Sequence, residues 1–233
     1  MPSASKPPPD QIAALQLHIT LNDIEPPIWR RLWVEDTITL GRLHEVLQIA
    51  MGWQNQHLHQ FIRGERGADQ LVYAPPSDDG FEDLEFTADQ RDETRVKART
   101  ILPLVGDAVT YEYDLGDSWQ HTLLLERVVL VDPLEQWLPW CLDGRRSAPP
   151  EDVGGTGGYE EFLEVLANPS DEDHASMREW ASDFDPERFD RQAVNTALWW
   201  WAKARGRHRK LRPDLRDERR REPRRPGSSA VFH

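Results

Sequence analysis

Three groups of residues carry side chains that can ligate a cation or move a proton. The first is His57-Leu58-His59-Gln60-Phe61, with two imidazoles two residues apart. On a strand, where side chains alternate between faces, both would project to one side, a geometry suited to a metal ion or a proton shuttle. Histidines at a strand start also hydrogen-bond locally without any ligand, so the pattern is not specific. The second group is Tyr111-Glu112-Tyr113-Asp114-Leu115-Gly116-Asp117-Ser118-Trp119-Gln120-His121, in which a hairpin turn presents Asp114 and Asp117 together. Asp and Gly are ordinary turn residues, because Asp accepts local backbone N–H bonds and Gly tolerates positive φ. Turn chemistry does not require Trp119 and His121, which alternation places on one face of the returning strand. The third group is the adjacent pair Glu151-Asp152, able to ligate a hard cation or to cap the structure that follows. The candidate cluster is therefore His57, His59, Asp114, Asp117, Trp119, His121, Glu151 and Asp152, with His57, His59, Asp117 and His121 as the candidate ligands of a divalent metal ion.

The carboxylate pair lies within a longer run, Cys141-Leu142-Asp143-Gly144-Arg145-Arg146 followed by Pro149-Pro150-Glu151-Asp152-Val153-Gly154-Gly155-Thr156-Gly157-Gly158-Tyr159. This run leads into a helix, so its backbone N–H groups could form an anion-binding nest at the positive helix end. It matches neither the phosphate-binding P-loop, since no Gly-Lys-Ser/Thr follows, nor the dinucleotide fingerprint, since no strand precedes it. A rigid loop folded over the core is the competing reading.

The elements that must position these groups follow from hydrophobic periodicity. Leu15, Leu17, Ile19 and Leu21 alternate with polar residues as in a half-buried strand. After Glu25-Pro26-Pro27, a second strand puts Ile28, Leu32 and Val34 on one face and Trp29 and Trp33 on the other. Thr39 is a candidate N-cap for a helix carrying Leu40, Leu43, Val46, Leu47 and Ala50, with Gly52 as its left-handed C-cap. His57 to Ile62 reads as a strand, and the acidic stretch from Gly64 to Asp92 holds at most a short strand at Leu71 to Tyr73. Val109 to Tyr113 and Trp119 to Val131 form an antiparallel hairpin. The segment from Asp132 to Gly158 has no usable period and reads as an ordered loop or hinge. Helices are expected at Tyr159 to Ala167, at Asp171 to Ala181, and after Asp190, where Val194, Ala197, Leu198 and Trp201 share a face. Three consecutive tryptophans, Trp199 to Trp201, point about 100° apart on a helix, so at least one should leave the core seam.

This order of elements predicts an α+β fold, a single compact domain over residues 12–201 with a largely antiparallel sheet packed with helices. Residues 1–11, proline-rich, are expected to be a disordered lead-in, and residues 202–233 a disordered basic tail. Net charge is −13, yet residues 203 to 225 hold twelve Lys and Arg against four Asp and Glu, a local +8 that leaves −21 on the remainder by difference. Arg205, Arg207, Arg209, Lys210 and Arg212 are the candidate nucleic-acid contacts of this tail, nonspecific and salt-sensitive. Rival roles for it are an intramolecular partner for the acidic body or simple solubilisation. One cysteine, Cys141, excludes an intrachain disulfide. The start MPSASKPPPDQ lacks a signal-peptide pattern, and nowhere do about 18 consecutive apolar residues occur. A cytoplasmic protein with no membrane partner is the expectation.

The ordered series Pro26-Pro27-Ile28-Trp29-Arg30-Arg31, Thr39-Leu40-Gly41-Arg42-Leu43-His44, Met51-Gly52-Trp53, His57-Leu58-His59-Gln60-Phe61, Tyr113-Asp114-Leu115-Gly116-Asp117-Ser118-Trp119 and Pro149-Pro150-Glu151-Asp152 resembles the plasmid pRiA4b ORF-3-like family, from about Leu15 to Leu198. The resemblance implies a compact α+β fold of bacteria and archaea, often encoded on plasmids and mobile elements. Some relatives carry the label of TnpR-type resolvases or insertion-element passenger proteins. That label implies an N-terminal serine nucleophile among arginines, whereas this chain offers only Ser3 and Ser5 there. Relatives often have further cysteines between the positions of Cys141 and Val153, where this chain has Ala148 and Val153, so the resemblance does not extend to a thiolate metal site. The favoured functional reading is a non-enzymatic interaction module associated with plasmids or mobile elements, with a protein or nucleic-acid partner; the alternative is a metal-dependent hydrolase or nuclease using the His/Asp cluster. Convergence of at least three candidate side chains in one cleft would favour the second.

Overall fold

The computed structural model describes residues 11–64, 70–76 and 90–205. One eight-stranded sheet organises the chain: β1 (Ile12–Leu21), β2 (Trp29–Glu35), β3 (His59–Arg63), β4 (Leu71–Ala74), β5 (Gln90–Asp92), β6 (Ala108–Tyr113), β7 (Trp119–Val131) and β8 (Trp140–Arg145). Their spatial order is β5-β4-β3-β6-β7-β1-β2-β8. All neighbours are antiparallel except β4 and β5. The helices are α1 (Leu40–Met51), α2 (Ala98–Ile101), α3 (Gly155–Ala167), α4 (His174–Ala181) and α5 (Arg191–Ala204). This is the expected α+β architecture.

Alternation along the strands dictates which face is covered. Leu15, Leu17, Ile19, Leu32, Val34, Leu123 and Leu125 are fully buried and join Leu43, Val46 and Leu47 of α1 in one core cluster. Trp29 and Trp33 lie on the opposite face of β2, half-buried, as the alternation predicts. Gly52 takes a φ of 92° and closes α1, its N–H donating to the Gln48 carbonyl. Asp190 caps α5, its carboxylate accepting the Ala193 N–H at 2.9 Å. Of the three tryptophans, Trp199 and Trp201 are buried while Trp200 is only partly so.

Several boundaries differ from the sequence reading. β8 and the first turn of α3 occupy part of the segment expected to be loop. β8 is an edge strand held on one side by β2. On the other, Asn195 of α5 accepts the Cys141 N–H at 2.8 Å and donates to its carbonyl at 2.9 Å. That side-chain amide substitutes for a further strand and blunts the edge. Strand β3 begins only at His59, so His57 sits ahead of it and the two imidazoles do not share a strand face. At the other end, α5 continues to Ala204, into the segment expected to be tail. Ala202 is buried, and the Lys203 ammonium lies 4.4 Å from the centroid of the Trp199 ring, which explains the extra turn. Arg207, Arg209, Lys210 and Arg212 lie outside the described residues.

Candidate functional site

The β3–β6 ladder sets the register of the site. His59 pairs with Tyr113, and one further bond, Asp114 N–H to the Leu58 carbonyl at 2.9 Å, brings Asp114 beside the residues just ahead of β3. The Asp114 backbone is left-handed, φ 56°, a conformation Asp tolerates better than most residues. Its Oδ1 accepts the Gly116 N–H at 3.0 Å, the Asx turn anticipated from sequence, while Oδ2 turns toward His57 Nδ1 at 3.6 Å.

A third segment completes the cluster. Trp53 donates its indole N–H to the Pro149 carbonyl at 2.9 Å and pins the proline pair over the core. Glu151 Oε1 then accepts the Gln54 N–H at 2.7 Å and the Tyr113 hydroxyl at 3.1 Å. Burial and the nearby Glu151 charge push the Tyr113 phenol up, so it stays a donor. Asp152, at φ 59°, reaches His57 Nε2 at 3.2 Å, and Glu151 Oε2 stands 3.7 Å from the same nitrogen.

Three of the sequence candidates thus converge: one ligand atom each from His57, Asp114 and Asp152 lie within 4.8 Å of one another. A nitrogen and two carboxylate oxygens so grouped are the donor set that zinc- or manganese-like ions take. His57 Nε2 is itself buried and has no hydrogen-bond partner among the described residues, despite the carboxylates around it. Glu151, whose carboxylate accepts from Gln54 and Tyr113, is fixed as an orienting group at the edge of the cluster.

The other candidates go elsewhere. Asp117 turns away and accepts the Gly154 N–H at 3.1 Å through Oδ2. Gly155, at φ 69°, passes so close that a Cβ there would lie 2.9 Å from the Asp117 carbonyl oxygen. The glycine-rich nest is therefore engaged by an internal carboxylate. Trp119 and His121 face the core as their alternation requires, 1% and 0% exposed, and neither joins the cluster. Burial lowers the His121 pKa to about 4, leaving a neutral ring edge-on to Trp53. Cys141 is buried as well, its thiol pushed up to about 11, which keeps it protonated and inert.

His59 belongs to a second constellation, one that sequence reasoning largely missed. Its Nε2 meets Glu93 Oε2 at 2.9 Å, with both residues buried. Gly41 makes room for this carboxylate, since a Cβ there would stand 3.0 Å from Glu93 Oε1. The His59 ring stacks on His44, centroids 3.4 Å apart and planes 3° from parallel. A closed ring of hydrogen bonds fixes His44. Gln48 donates to the Tyr111 hydroxyl at 3.0 Å, and that hydroxyl donates to His44 Nδ1 at 2.8 Å. His44 Nε2–H donates to Asn55 Oδ1 at 2.6 Å, and the Asn55 N–H returns to Gln48 Oε1 at 2.9 Å. Burial and then the neighbouring His59 push the His44 pKa down to about 3, so this imidazole is neutral at physiological pH. The available signal was His44 and Gln48, four apart beside the apolar stripe of α1; nothing local marks Asn55 or Glu93.

The second constellation opens on a cleft of about 590 Å3, lined among others by His44, Glu45, Asn55, His59 and Glu93, and of the first constellation His57 reaches its wall. A smaller cavity of about 340 Å3, lined by Arg63, Leu71 and Ile101, shares none of these residues.

Fold and site together define an α+β protein with a single, mostly antiparallel sheet and a histidine- and carboxylate-lined cleft beside β3 and α1. Residues 13–193 match the plasmid pRiA4b ORF-3-like protein family, and the chain belongs to it. An uncharacterized protein of Sinorhizobium fredii, y4hQ, is 38% identical over 189 residues, covering 80% of this chain and 91% of that one. The crystal structure of MM3350, a protein of unknown function from Methanosarcina mazei, superposes with a TM-score of 0.68 at 31% identity, covering 78% of this chain and 97% of that one.

Proposed function

We propose that this protein is a divalent-cation-dependent hydrolase whose cation is held by His57, Asp114 and Asp152. The observation that carries the reading is the convergence of those three side chains, from three separate segments, with Asp114 facing His57 Nδ1 and Asp152 facing Nε2, a buried nitrogen that makes no hydrogen bond among the described residues. Two of the three, Asp114 and Asp152, are held at positive φ, a conformation that costs free energy at non-glycine positions and is concentrated at functional sites. A bound cation would polarise an ester oxygen and lower the pKa of a coordinated water. The chain's own part is to orient the ligands. The Asx turn fixes Asp114, the Tyr113–Glu151 bond fixes the loop that carries Asp152, and the cleft admits the substrate. In the reaction class this implies, a water oxygen bonds to the ester centre as the ester bond breaks, and the leaving oxygen takes the proton.

No helix among the described residues is long and apolar enough to cross a membrane. A single buried thiol suits a reducing, cytoplasmic setting.

Calorimetric titration of the full chain with Mn2+ tests the reading. One site is expected, lost in Asp114→Asn and in His57→Gln, and kept in Asp117→Asn, because Asp117 serves the glycine turn instead. Absence of cation binding by the unmutated chain would sink it. The better account would then be a non-enzymatic interaction module, with a partner encoded on a plasmid or mobile element.

A further inference from the structure

Exposed large apolar side chains are few among the described residues, and two of them directly follow a proposed ligand in sequence: Leu58 after His57 and Leu115 after Asp114, 59% and 46% exposed. The bond from the Asp114 N–H to the Leu58 carbonyl at 2.9 Å holds the two segments side by side. Leu58 lines the cleft together with His57, and Pro75 adds to the same wall. Neither leucine belongs to a core cluster, so neither is there to fill the interior. An apolar edge held beside a cation site is the surface that the carbon part of a small ligand would cover.

The charges around the site choose the kind of ester. Besides histidines, the ionisable residues of the cleft wall are Arg42, Glu45 and Glu93. Glu45 ion-pairs with Arg205 and accepts the Trp201 indole N–H, while Glu93 is bonded to His59. Among the described residues the wall therefore carries no surplus of positive charge. At the cluster itself, the carboxylates of Asp114, Glu151 and Asp152 gathered around His57 outnumber the charge of a divalent ion. An ester that is already an anion, such as a phosphodiester, would be repelled on approach. A carboxylic ester is uncharged until water adds to it, and the negative charge that then develops on its carbonyl oxygen is stabilised by a cation beside it. We infer that the substrate is a small, uncharged carboxylic ester whose apolar group lies on Leu58 and Leu115. The inference rests on the hydrolase reading and names the substrate class of that site. In the reaction a water oxygen bonds to the acyl carbon and the bond from that carbon to the alkoxy oxygen breaks. The leaving oxygen takes a proton from the water, and the carboxylic acid product releases its own to solvent.

The test follows hydrolysis of p-nitrophenyl acetate, p-nitrophenyl butyrate and bis(p-nitrophenyl) phosphate by the full chain loaded with Mn2+, alongside calorimetric titration of the same samples. Each methylene moved from water onto apolar surface is worth up to about four-fold, so kcat/KM for the butyrate should exceed that for the acetate by about ten-fold. The phosphate diester should stay at the rate of the Asp114→Asn variant. That variant should also lose hydrolysis of both carboxylic esters, which separates this site from a contaminating esterase. Leu58→Ser/Leu115→Ser, with both substitutions on exposed side chains, should bring the butyrate-to-acetate ratio to within about two-fold of one, with Mn2+ affinity unchanged. Faster hydrolysis of the phosphate diester, hydrolysis of none of the three by a chain that calorimetry shows to bind Mn2+, or a butyrate preference that survives the double variant would each overturn the substrate assignment alone. Absence of Mn2+ binding would remove the hydrolase reading, and this assignment with it.

Discussion

On the covered face of the sheet, β1, β2 and the middle of β7 present Leu15, Leu17, Ile19, Leu32, Val34 and Leu125, whereas β3, β6 and the start of β7 present His59, Tyr111, Tyr113, Trp119 and His121. Both sets pack in one core, and α1 serves both: Leu43 and Val46 belong to the apolar cluster while His44 and Gln48 serve the polar one. An aliphatic core is satisfied by shape and volume alone. A buried imidazole or phenol must also find partners, and the ring through Gln48, Tyr111, His44 and Asn55 is what that requirement builds. The first region is held by apolar packing, and the second holds polar groups at fixed orientation beside a cleft.

The largest effect that would break this division is a cavity in the aliphatic region. Leu32 is fully buried on β2, away from the cleft-lining groups. Leu32→Ala should cost about 2–5 kcal/mol of unfolding free energy, read as a fall in the urea midpoint at unchanged slope. Mn2+ affinity measured well below that midpoint should stay at the unmutated value. A variant that remains folded yet loses its cation site would show that the two regions are not separable.

The second effect belongs to the polar region and depends on pH. His44 and His121 have folded-state pKa values lowered to about 3 and about 4 by burial. In the unfolded chain both take up a proton near pH 6.5, so the unfolded state binds more protons between that pH and the folded values. Their contribution is therefore fully present above about pH 6.5 and is lost as pH falls toward 4 and 3, at up to about 1.4 kcal/mol per pH unit for each histidine. Urea unfolding repeated from pH 7 to pH 4 checks the sign. A stability that is flat or rises on acidification would mean that these imidazoles are not buried neutral.

What the sequence made legible follows the same division. Period-two and helical patterns located β1, β2, α1, the β6–β7 hairpin and α5, because apolar burial leaves a local signature in residue order. Strand β8 left none: Trp140-Cys141-Leu142-Asp143-Gly144-Arg145 is an edge whose pairing comes from β2 and from Asn195, far away in the chain. Glycines at the start of α3 read as a loop, yet Gly155 and Gly158 are required by close approach, Gly155 to Asp117 and Gly158 to the Val153 carbonyl. Among the candidate site residues, His57, Asp114, Glu151 and Asp152 stood out by type and are brought together. Asp117, Trp119 and His121 stood out equally and are drawn off by a glycine turn and by core packing. Glu93 and Asn55 were missed because only tertiary packing gives them their histidine partners.

The smallest expected effect lies on the opposite face of the sheet and sharpens the pH comparison. Arg31 forks onto Glu126 with two bonds of 2.8 Å, and Gln16 donates to the same carboxylate at 2.6 Å. Chiefly through the Arg31 hydrogen bonds, the Glu126 pKa is held at about 2. Here the sign runs through a carboxylate: the contribution is present above its ordinary value near 4.5 and is lost as pH falls through that value toward 2. Because the pair is partly exposed and screened, Glu126→Gln should cost no more than about 1 kcal/mol at neutral pH, with the loss shrinking in high salt. The substitution also removes this carboxylate's share of the acid limb. Urea unfolding of Glu126→Gln should therefore keep the decline between pH 6.5 and pH 4.5, which belongs to the histidines, and show a shallower decline below it. Equal flattening of both windows would place the acid sensitivity on the outer face instead of in the polar half of the core.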